Sequence, residues 1–323
     1  MEKTIRFIKD WALVISMVVG VASYLIYVRI PQLDGMHQLA YQAVSVIQPA
    51  LLFAMLLLTF CRMDIRTMRL RMWHLWMLLI QCGSFVAIAA AMMLWPCSQG
   101  LSDVLQGAMI LLICPTATAA PVITRKLGGD VSQITTYTVL INIAAAILIP
   151  IFVPYIHPVE GMTTLKASLI ILSKVFPLLL LPLVVAILLR HLLPNINRVL
   201  TSWKDAPFYL WIVSLSLALA MTTRSIVQST ASLYTEAGLF AVSIACCAVQ
   251  FWLGWRLGNK SGDRVTAGQS MGQKNTVLAI WMGYTFFSPI TAVAGGFYCI
   301  WHNLVNSYQL YQQRIKTENE NNR

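Results

Sequence analysis

Two short stretches of this sequence decide its fold: CPTATAAP at residues 114–121 and GQSMGQKN at residues 268–275. Each lies within an apolar run long enough to cross a membrane, which takes about 20 residues. In the first stretch, Pro115 and Pro121 flank only small residues, and proline breaks a helix because it lacks an N–H group and its ring clashes with the preceding turn. In the second, two glycines loosen the helix. The sequence therefore predicts two interrupted membrane helices.

The composition is that of a polytopic membrane protein. Of 323 residues, 58% are hydrophobic and 11% are charged, whereas a soluble domain has about 25% charged residues. The net charge of +11 lies mostly in short loops, which argues against nucleic acid as a partner. Seven cysteines without a CxxC pair predict neither a disulfide framework nor a zinc site, and no motif indicates another metal or a cofactor.

The apolar runs predict ten membrane spans. These are residues 11–29, 42–61, 73–95, 103–125, 131–154, 168–190, 206–223, 233–257, 265–287 and 289–311. With a cytoplasmic N-terminus, 18 of the 23 basic residues fall in cytoplasmic segments, and only Arg29, Lys166 and Arg224 fall in external loops. This bias predicts that both termini are cytoplasmic, and the compact loops favour a bacterial inner (plasma) membrane. We interpret the basic start as part of a first span, since no A-x-A cleavage site follows it.

Ten spans divide into two sets of five near residue 160, and a repeat with an odd number of spans must be inverted. The interrupted segments lie in spans 4 and 9, which are counterparts in the two sets. Interrupted helices at corresponding positions indicate a transporter site, although two kinked helices without a site remain an alternative. We predict a first repeat at 1–160, a second at 161–311 and a polar cytoplasmic tail at 312–323.

Lys274 lies near the middle of span 9, about 13 Å and 20 Å of helix from its two ends. A charge at that depth costs roughly 2.5–3.5 kcal/mol on insertion scales. No Asp or Glu is predicted to lie deep in any span, so the ammonium has no obvious carboxylate partner. Backbone carbonyl dipoles or an anionic substrate would then have to compensate it.

The longest family resemblance covers residues 272–307, GQKNTVLAIWMGYTFFSPITAVAGGFYCIWHNLVNS. This stretch resembles helices 9 and 10 of the bile acid:sodium symporter family, which read G-M-Q-N-S-G-L-A, F-S-P-L-A-A-V-P-G and W-H-N-L-S-G-S. Span 4 resembles the family's C-P-G-G-T-A-S-N, and QPALLFAMLLLTF at residues 48–60 resembles its second helix.

The resemblance implies an all-α polytopic membrane protein whose ten transmembrane helices form two inverted five-helix repeats, with broken helices 4 and 9 crossing. Helices 1, 2, 6 and 7 would form a panel domain, and helices 3–5 and 8–10 a core domain. Two sodium ions would bind behind the crossing, and an organic anion between the domains.

The chain departs from the family at the first sodium site. The family's S-N pair on helix 4 corresponds here to Ala120 and Pro121. A Ser and a Thr on helix 5 correspond to Ile134 and Thr138, so only one of these hydroxyl groups is kept. Sodium requires several oxygen ligands, which makes this site hard to build.

The second sodium site departs as well. The family's bridging Glu corresponds to Ser270, and the Gln of its Q-N pair corresponds to Lys274, whereas Gln81 and Asn275 are kept. An ammonium and a sodium ion would repel each other at this distance. We therefore predict that Lys274 replaces a sodium ion and donates to carbonyls of the broken helices, to the Gln81 amide oxygen, and to the hydroxyl of Ser270 or Thr118.

The predicted substrate and crossover residues are Pro115, Thr116, Thr118, Pro121, Asn275 and His302. The hydroxyls of Thr116 and Thr118 either cap freed backbone groups or face the substrate. His302, in the WHN motif, is expected to pack or hydrogen-bond beside the crossing.

The leading functional hypothesis is a sodium-independent secondary transporter of an organic anion, working by alternating access. Three alternatives stay open: sodium coupling through one backbone-rich site, proton coupling through Lys274, and Lys274 as a structural strut only. An enzyme is disfavoured, since paired carboxylates and an HExxH motif are missing, and no P-loop indicates ATP drive. The expected partners are a small organic anion and membrane lipid, with no nucleic acid, and the expected state is a monomer or weak oligomer.

Overall fold

The computed structural model describes residues 2–63, 65–158, 161–203 and 206–321. Within these ranges the chain is all-helical and contains no named β-strand. The helices are α1 (Glu2–Tyr27), α2 (His37–Cys61), α3 (Met72–Leu94), α4 (Gln99–Ile113), α5 (Ala120–Lys126), α6 (Val131–Ile156), α7 (Thr164–Leu179), α8 (Leu181–Leu192), α9 (Pro194–Ser202), α10 (Ala206–Val227), α11 (Leu233–Asn259), α12 (Arg264–Gly272), α13 (Thr276–Phe286) and α14 (Val293–Asn321). Two 3₁₀ turns, Pro31–Met36 and Ile65–Thr67, lie on either side of α2.

The apolar helices agree with the predicted membrane protein. Five helices of the described chain are long and apolar enough to span a membrane, namely α2, α3, α6, α10 and α11. The bent pair α7 and α8 makes a sixth if it counts as one span. The number falls short of ten partly because the two interrupted segments leave pieces of 7–15 residues, each shorter than a bilayer requires.

The predicted interruption at residues 114–121 is confirmed, and its two prolines act differently. Helix α4 ends at Ile113, since a residue before proline avoids the helical conformation. Helix α5 then begins at Ala120 with Pro121 in its first turn, where the missing N–H group costs nothing. Pro115 therefore ends one helix, and Pro121 starts the next.

The second predicted interruption is also confirmed, but it lies at residues 273–275, after the glycines. Gly268 is inside α12, and Gly272 is the last residue of that helix. Both lie close against aromatic rings, Gly268 against Trp255 and Gly272 against Phe251. The glycines therefore give room to neighbouring rings, and the break follows them.

The predicted span at 168–190 is not one straight helix. It is divided at Leu180 into α7 and α8, which meet at an angle of 40°. Pro182 lies in the first turn of α8 and cannot donate to the preceding turn, which accounts for the bend.

The helices pack as two sets. In one set, α1 packs on α10, and α2 packs on α8 and α10. In the other, α11 packs on α4, α12 and α14, while α3 packs on α4 and α6. The sets meet where α13 contacts α2 and α10, where α14 contacts α10, and where α6 contacts α7.

Helix α12 approaches α11 more closely than side chains would allow. A Cβ atom on Gly254 would lie 2.6 Å from the carbonyl oxygen of Ala267 and 2.8 Å from the Cα atom of Gly268. Such a contact is with backbone, which cannot turn aside as a side chain can. Gly254 therefore determines where α12, and with it the second break, lies against α11.

Candidate functional site

The two helix breaks lie against each other, and we call residues 114–119 and 273–275 the paired breaks. An antiparallel bridge joins Thr116 and Lys274. Within it, the Ala117 N–H donates to the Gln273 carbonyl at 2.8 Å, and the Asn275 N–H donates to the Pro115 carbonyl at 2.9 Å. Backbone groups freed inside a membrane need such partners. The breaks therefore satisfy part of each other's backbone.

Side chains satisfy more of the freed carbonyls. The Thr116 hydroxyl donates to the Ser270 carbonyl at 2.6 Å, and the Cys114 thiol donates to the Asn275 carbonyl at 3.0 Å. The Tyr298 hydroxyl donates to the Gly272 carbonyl at 2.8 Å. Thr116 thus caps backbone, which was one of the two roles predicted for it. Tyr298 was missed, because no local pattern marks a tyrosine on α14 as a partner of α12.

Lys274 is fully buried between these groups, with 0% of its surface exposed. Its Nζ atom has no hydrogen-bond partner among the described residues. The thiols of Cys82, Cys114 and Cys246 are among the described groups that lie near it. The cation predicted from the sequence is thus at the paired breaks, but it is unpaired there.

The side chains expected to accept hydrogen bonds from Lys274 form hydrogen bonds with other groups. The Gln81 amide oxygen accepts from the Tyr137 hydroxyl at 2.7 Å, and its amide nitrogen donates to the Cys114 carbonyl at 3.1 Å. The Ser270 hydroxyl donates to the Thr266 carbonyl at 2.8 Å. Gln81 therefore ties α3 to α6 and to the first break, and the expected hydrogen bonds to Lys274 are not formed.

The position corresponding to the first sodium site is apolar. Ala120 and Ile134 are fully buried and form a small cluster with Ala117. The Thr138 hydroxyl donates to the Ile134 carbonyl of its own helix at 2.8 Å. No group of three or more His, Cys, Asp or Glu side chains that could hold a metal occurs in the described part of the chain.

A small cavity of about 10 Å³ lies beside the paired breaks, enough for about one water molecule. Thr118, Asn275 and His302 line it together with Gln273. Trp211 of α10 and Asn303 of α14 also contribute to its wall. The cavity thus brings together three of the six residues predicted for the substrate, whereas Thr116, Pro115 and Pro121 do not line it.

Some polar side chains that line this cavity are hydrogen-bonded, and others have no hydrogen-bond partner among the described residues. The Asn275 side chain accepts from the Leu278 N–H at 3.2 Å and so caps α13. The Gln273 Oε1 and His302 Nδ1 atoms are buried and have no hydrogen-bond partner in the described ranges. His302 packs against the edge of the Tyr298 ring, with centroids 5.7 Å apart. Two buried polar atoms thus remain available to a polar ligand.

The sequence interpretation did not identify the buried carboxylate of Asp103. Asp103, near the start of α4, is 5% exposed and accepts from the Ser288 hydroxyl at 3.0 Å. It precedes Cys114 by about 16 Å of helix. Asp103 therefore joins α4 to the segment before α14 and does not pair with Lys274.

The sequence model of the SBF-like CPA transporter family matches residues 10–304, which is nearly the whole chain. A search of the curated proteins finds no match.

Proposed function

The chain belongs to the SBF-like CPA transporter family, a family of transporters and not of enzymes, and on that basis we propose that it is a secondary transporter of an organic anion that works without sodium. The substrate is a small or amphipathic anion. It binds beside the paired breaks and is carried by alternating access.

One observation carries this proposal: a fully buried, unpaired lysine stands at the paired breaks. In the family that the sequence resembles, the corresponding position contributes to a sodium site. An ammonium fixed to the chain supplies the same positive charge and would repel a sodium ion at that distance. The apolar cluster of Ala117, Ala120 and Ile134 removes oxygen ligands from the other sodium site, which supports the same conclusion.

The positive charge serves the substrate. Lys274 lines the same small cavity as Asn275 and His302, and the N-terminus of α13 adds the positive end of a helix dipole beside it. The cavity is too small for an organic anion. Binding therefore requires α10, which contributes Trp211 to the wall, to move away from the breaks.

The helix packing supports the architecture that we propose. The ten spans are α1, α2, α3, α4 with α5, α6, α7 with α8, α10, α11, α12 with α13, and α14. In chain order they form two inverted five-span repeats that divide near residue 160. The set containing α1, α2, α8 and α10 acts as the panel, and the set containing α3, α4, α6, α11, α12 and α14 as the core. Both termini lie in the cytoplasm of a cell whose inner membrane holds the protein.

Proton coupling is the second candidate, and the unpaired Nζ atom favours it. A buried ammonium without acceptors is costly, so a lysine that releases its proton in one conformation and regains it in another would exchange protons with transport. This candidate keeps the same site and substrate and changes only the coupled ion.

Uptake into proteoliposomes tests the proposal and separates these candidates. We expect uptake of a labelled bile acid, steroid sulfate or keto acid to be the same under sodium and potassium gradients, and a pH gradient to drive it only if Lys274 exchanges protons. Lys274→Gln restores an oxygen ligand of the sodium site and is expected to introduce weak sodium sensitivity. The matched control is Lys174→Gln, because Lys174 is an exposed lysine on α7.

Two outcomes would count against the account. Wild-type uptake that requires sodium would mean that a sodium site made of backbone carbonyls survives. A Lys274→Gln variant with the same rates in both salts would remove the argument that the lysine stands in for the ion.

A further inference from the structure

A second cavity lies between α1, α2 and α10 and has a volume of about 510 Å³. None of its lining residues belongs to the paired breaks. Part of its wall is apolar, with Val28 directly after α1, Val44 from α2, and Leu217 and Met221 from α10. Its volume is that of a site for a small organic ligand, so the cavity is large enough to hold one.

Among the described residues that line this cavity, the one cation is an arginine. Arg224, in the last turn of α10, lines it, and its guanidinium carbon lies 4.5 Å from the centroid of the Tyr41 ring. Arg224 is half-buried, and among the described residues none forms an ion pair or a hydrogen bond with its side chain. The guanidinium therefore contacts the face of an aromatic ring but donates no hydrogen bond there, so its N–H groups are available to a ligand.

A second unsatisfied group lies beside it. The Tyr24 hydroxyl on α1 is buried, has no hydrogen-bond partner in the described part of the chain, and is close enough to Arg224 to interact electrostatically. Tyr24 also lines the cavity. An oxyanion would take charge-assisted hydrogen bonds from the guanidinium and a further one from the hydroxyl, and would satisfy both groups at once.

We propose that this cavity binds a single-chain anionic amphiphile. Its carboxylate is held by Arg224 and Tyr24, and its alkyl chain lies along the apolar wall of α1, α2 and α10. A cation beside an apolar stretch of wall matches a ligand with one negative charge and an apolar tail. The site is additional to the transport site and does not depend on the ion that drives transport.

The cavity also adjoins a contact between α2 and α13. Tyr41 contacts the ring of Tyr284 on α13 with centroids 6.5 Å apart, and the Tyr284 hydroxyl donates to the buried Gln48 side chain of α2 at 2.9 Å. A ligand that binds Arg224 and moves it off the Tyr41 ring would therefore change the contact between Tyr41 on α2 and Tyr284 on α13. Helix α13 begins at the second break.

Photolabelling in nanodiscs of neutral lipid tests the proposal. The probe is dodecanoate carrying a diazirine, and the labelled peptides are located by mass spectrometry. We expect labelling on α1, α2 or α10 that unlabelled dodecanoate suppresses, whereas dodecanol, which has the tail without the charge, and acetate, which has the charge without the tail, suppress it at least tenfold less.

Variants separate the charge from the cavity. Arg224→Gln is expected to weaken competition by dodecanoate at least tenfold, Arg224→Lys to restore part of it, and Tyr24→Phe to weaken it several-fold. Arg29→Gln is the matched control, because Arg29 is an exposed arginine that does not line the cavity, and it should match the wild type. Thermal unfolding of each variant shows whether lost labelling reflects lost folding.

Three results would overturn the proposal. Dodecanol competing as well as dodecanoate would mean an apolar cavity without an anion site. If the Arg224→Gln variant is photolabelled as efficiently as the wild type, Arg224 does not contribute to binding. Label on α5, α12 or α13 would mean that the probe reports the transport site. None of these results depends on sodium, so a failure here is distinguishable from a failure of the proposed transport mechanism.

Discussion

Lys274→Met is expected to make the protein more stable and less active. Methionine is similar in length to lysine. The substitution removes a fully buried cation whose Nζ atom has no hydrogen-bond partner among the described residues. Leaving a buried polar group unpaired costs about 1–3 kcal/mol, so we expect a gain of that order in the free energy of unfolding. Anion uptake should fall at least about tenfold, which corresponds to about 1.4 kcal/mol, because the charge that attracts the substrate is lost.

Thermal unfolding in detergent and uptake in proteoliposomes measure the two effects. Lys174→Met is the control, since Lys174 is exposed on α7 and its replacement should change neither quantity by a comparable amount. A Lys274→Met variant that is destabilised by a similar amount would contradict the expectation. It would mean that acceptors hold the ammonium and that Lys274 is a structural strut.

Gly254→Ala is expected to be strongly destabilising. Its methyl group would lie 2.6 Å from the Ala267 carbonyl oxygen and 2.8 Å from the Gly268 Cα atom, and α12 would have to move away from α11. Overpacking of this kind costs typically about 1–3 kcal/mol. Because α12 leads directly into the second break, uptake should fall as well, even at temperatures where the variant remains folded.

The matched control is Gly83→Ala on α3. A Cβ atom on Gly83 would have no neighbour within 4 Å, and alanine in a helix is favoured over glycine by roughly 0.5–1 kcal/mol. Gly83→Ala should therefore be neutral or slightly stabilising. Equal melting temperatures for the two variants would show that α11 and α12 can separate without cost.

The first break was predictable because its cause is local. A proline excludes helix at the residue before it and is tolerated in the first turn of a helix, so Pro115 and Pro121 mark an end and a start that need no knowledge of the rest of the fold. The unusual depth of Lys274 was equally visible, since it follows from the length of the apolar run around it.

The contacts of the site were not predictable in the same way. The partner of the Gln81 amide oxygen is Tyr137, 56 residues further along the chain, and Tyr298 reaches Gly272 from α14. Such pairs depend on how helices distant in sequence lie together. The expected hydrogen bonds to Lys274 were wrong for the same reason, because neighbouring side chains and the opposite break already engage the carbonyls.

The cavity residues were partly accessible to sequence reasoning. Thr118, Asn275 and His302 were identified, whereas Gln273, which directly precedes Lys274, and Asn303, which directly follows His302, were not. For both, the available signal was a polar residue next to a predicted site residue, in the second break for Gln273 and in the WHN motif for Asn303. Trp211 carried no such signal, since it lies in a regular apolar helix and joins the cavity only through packing.

The central claim is that Lys274 occupies the place of sodium, and thermal unfolding of the purified wild-type protein tests it most directly. NaCl is titrated against KCl at constant ionic strength. A ligand that binds only the folded state raises its stability by about 2.7 kcal/mol at a hundredfold excess over Kd. The account predicts identical unfolding curves in the two salts. A saturable rise in melting temperature that is specific for sodium would contradict it.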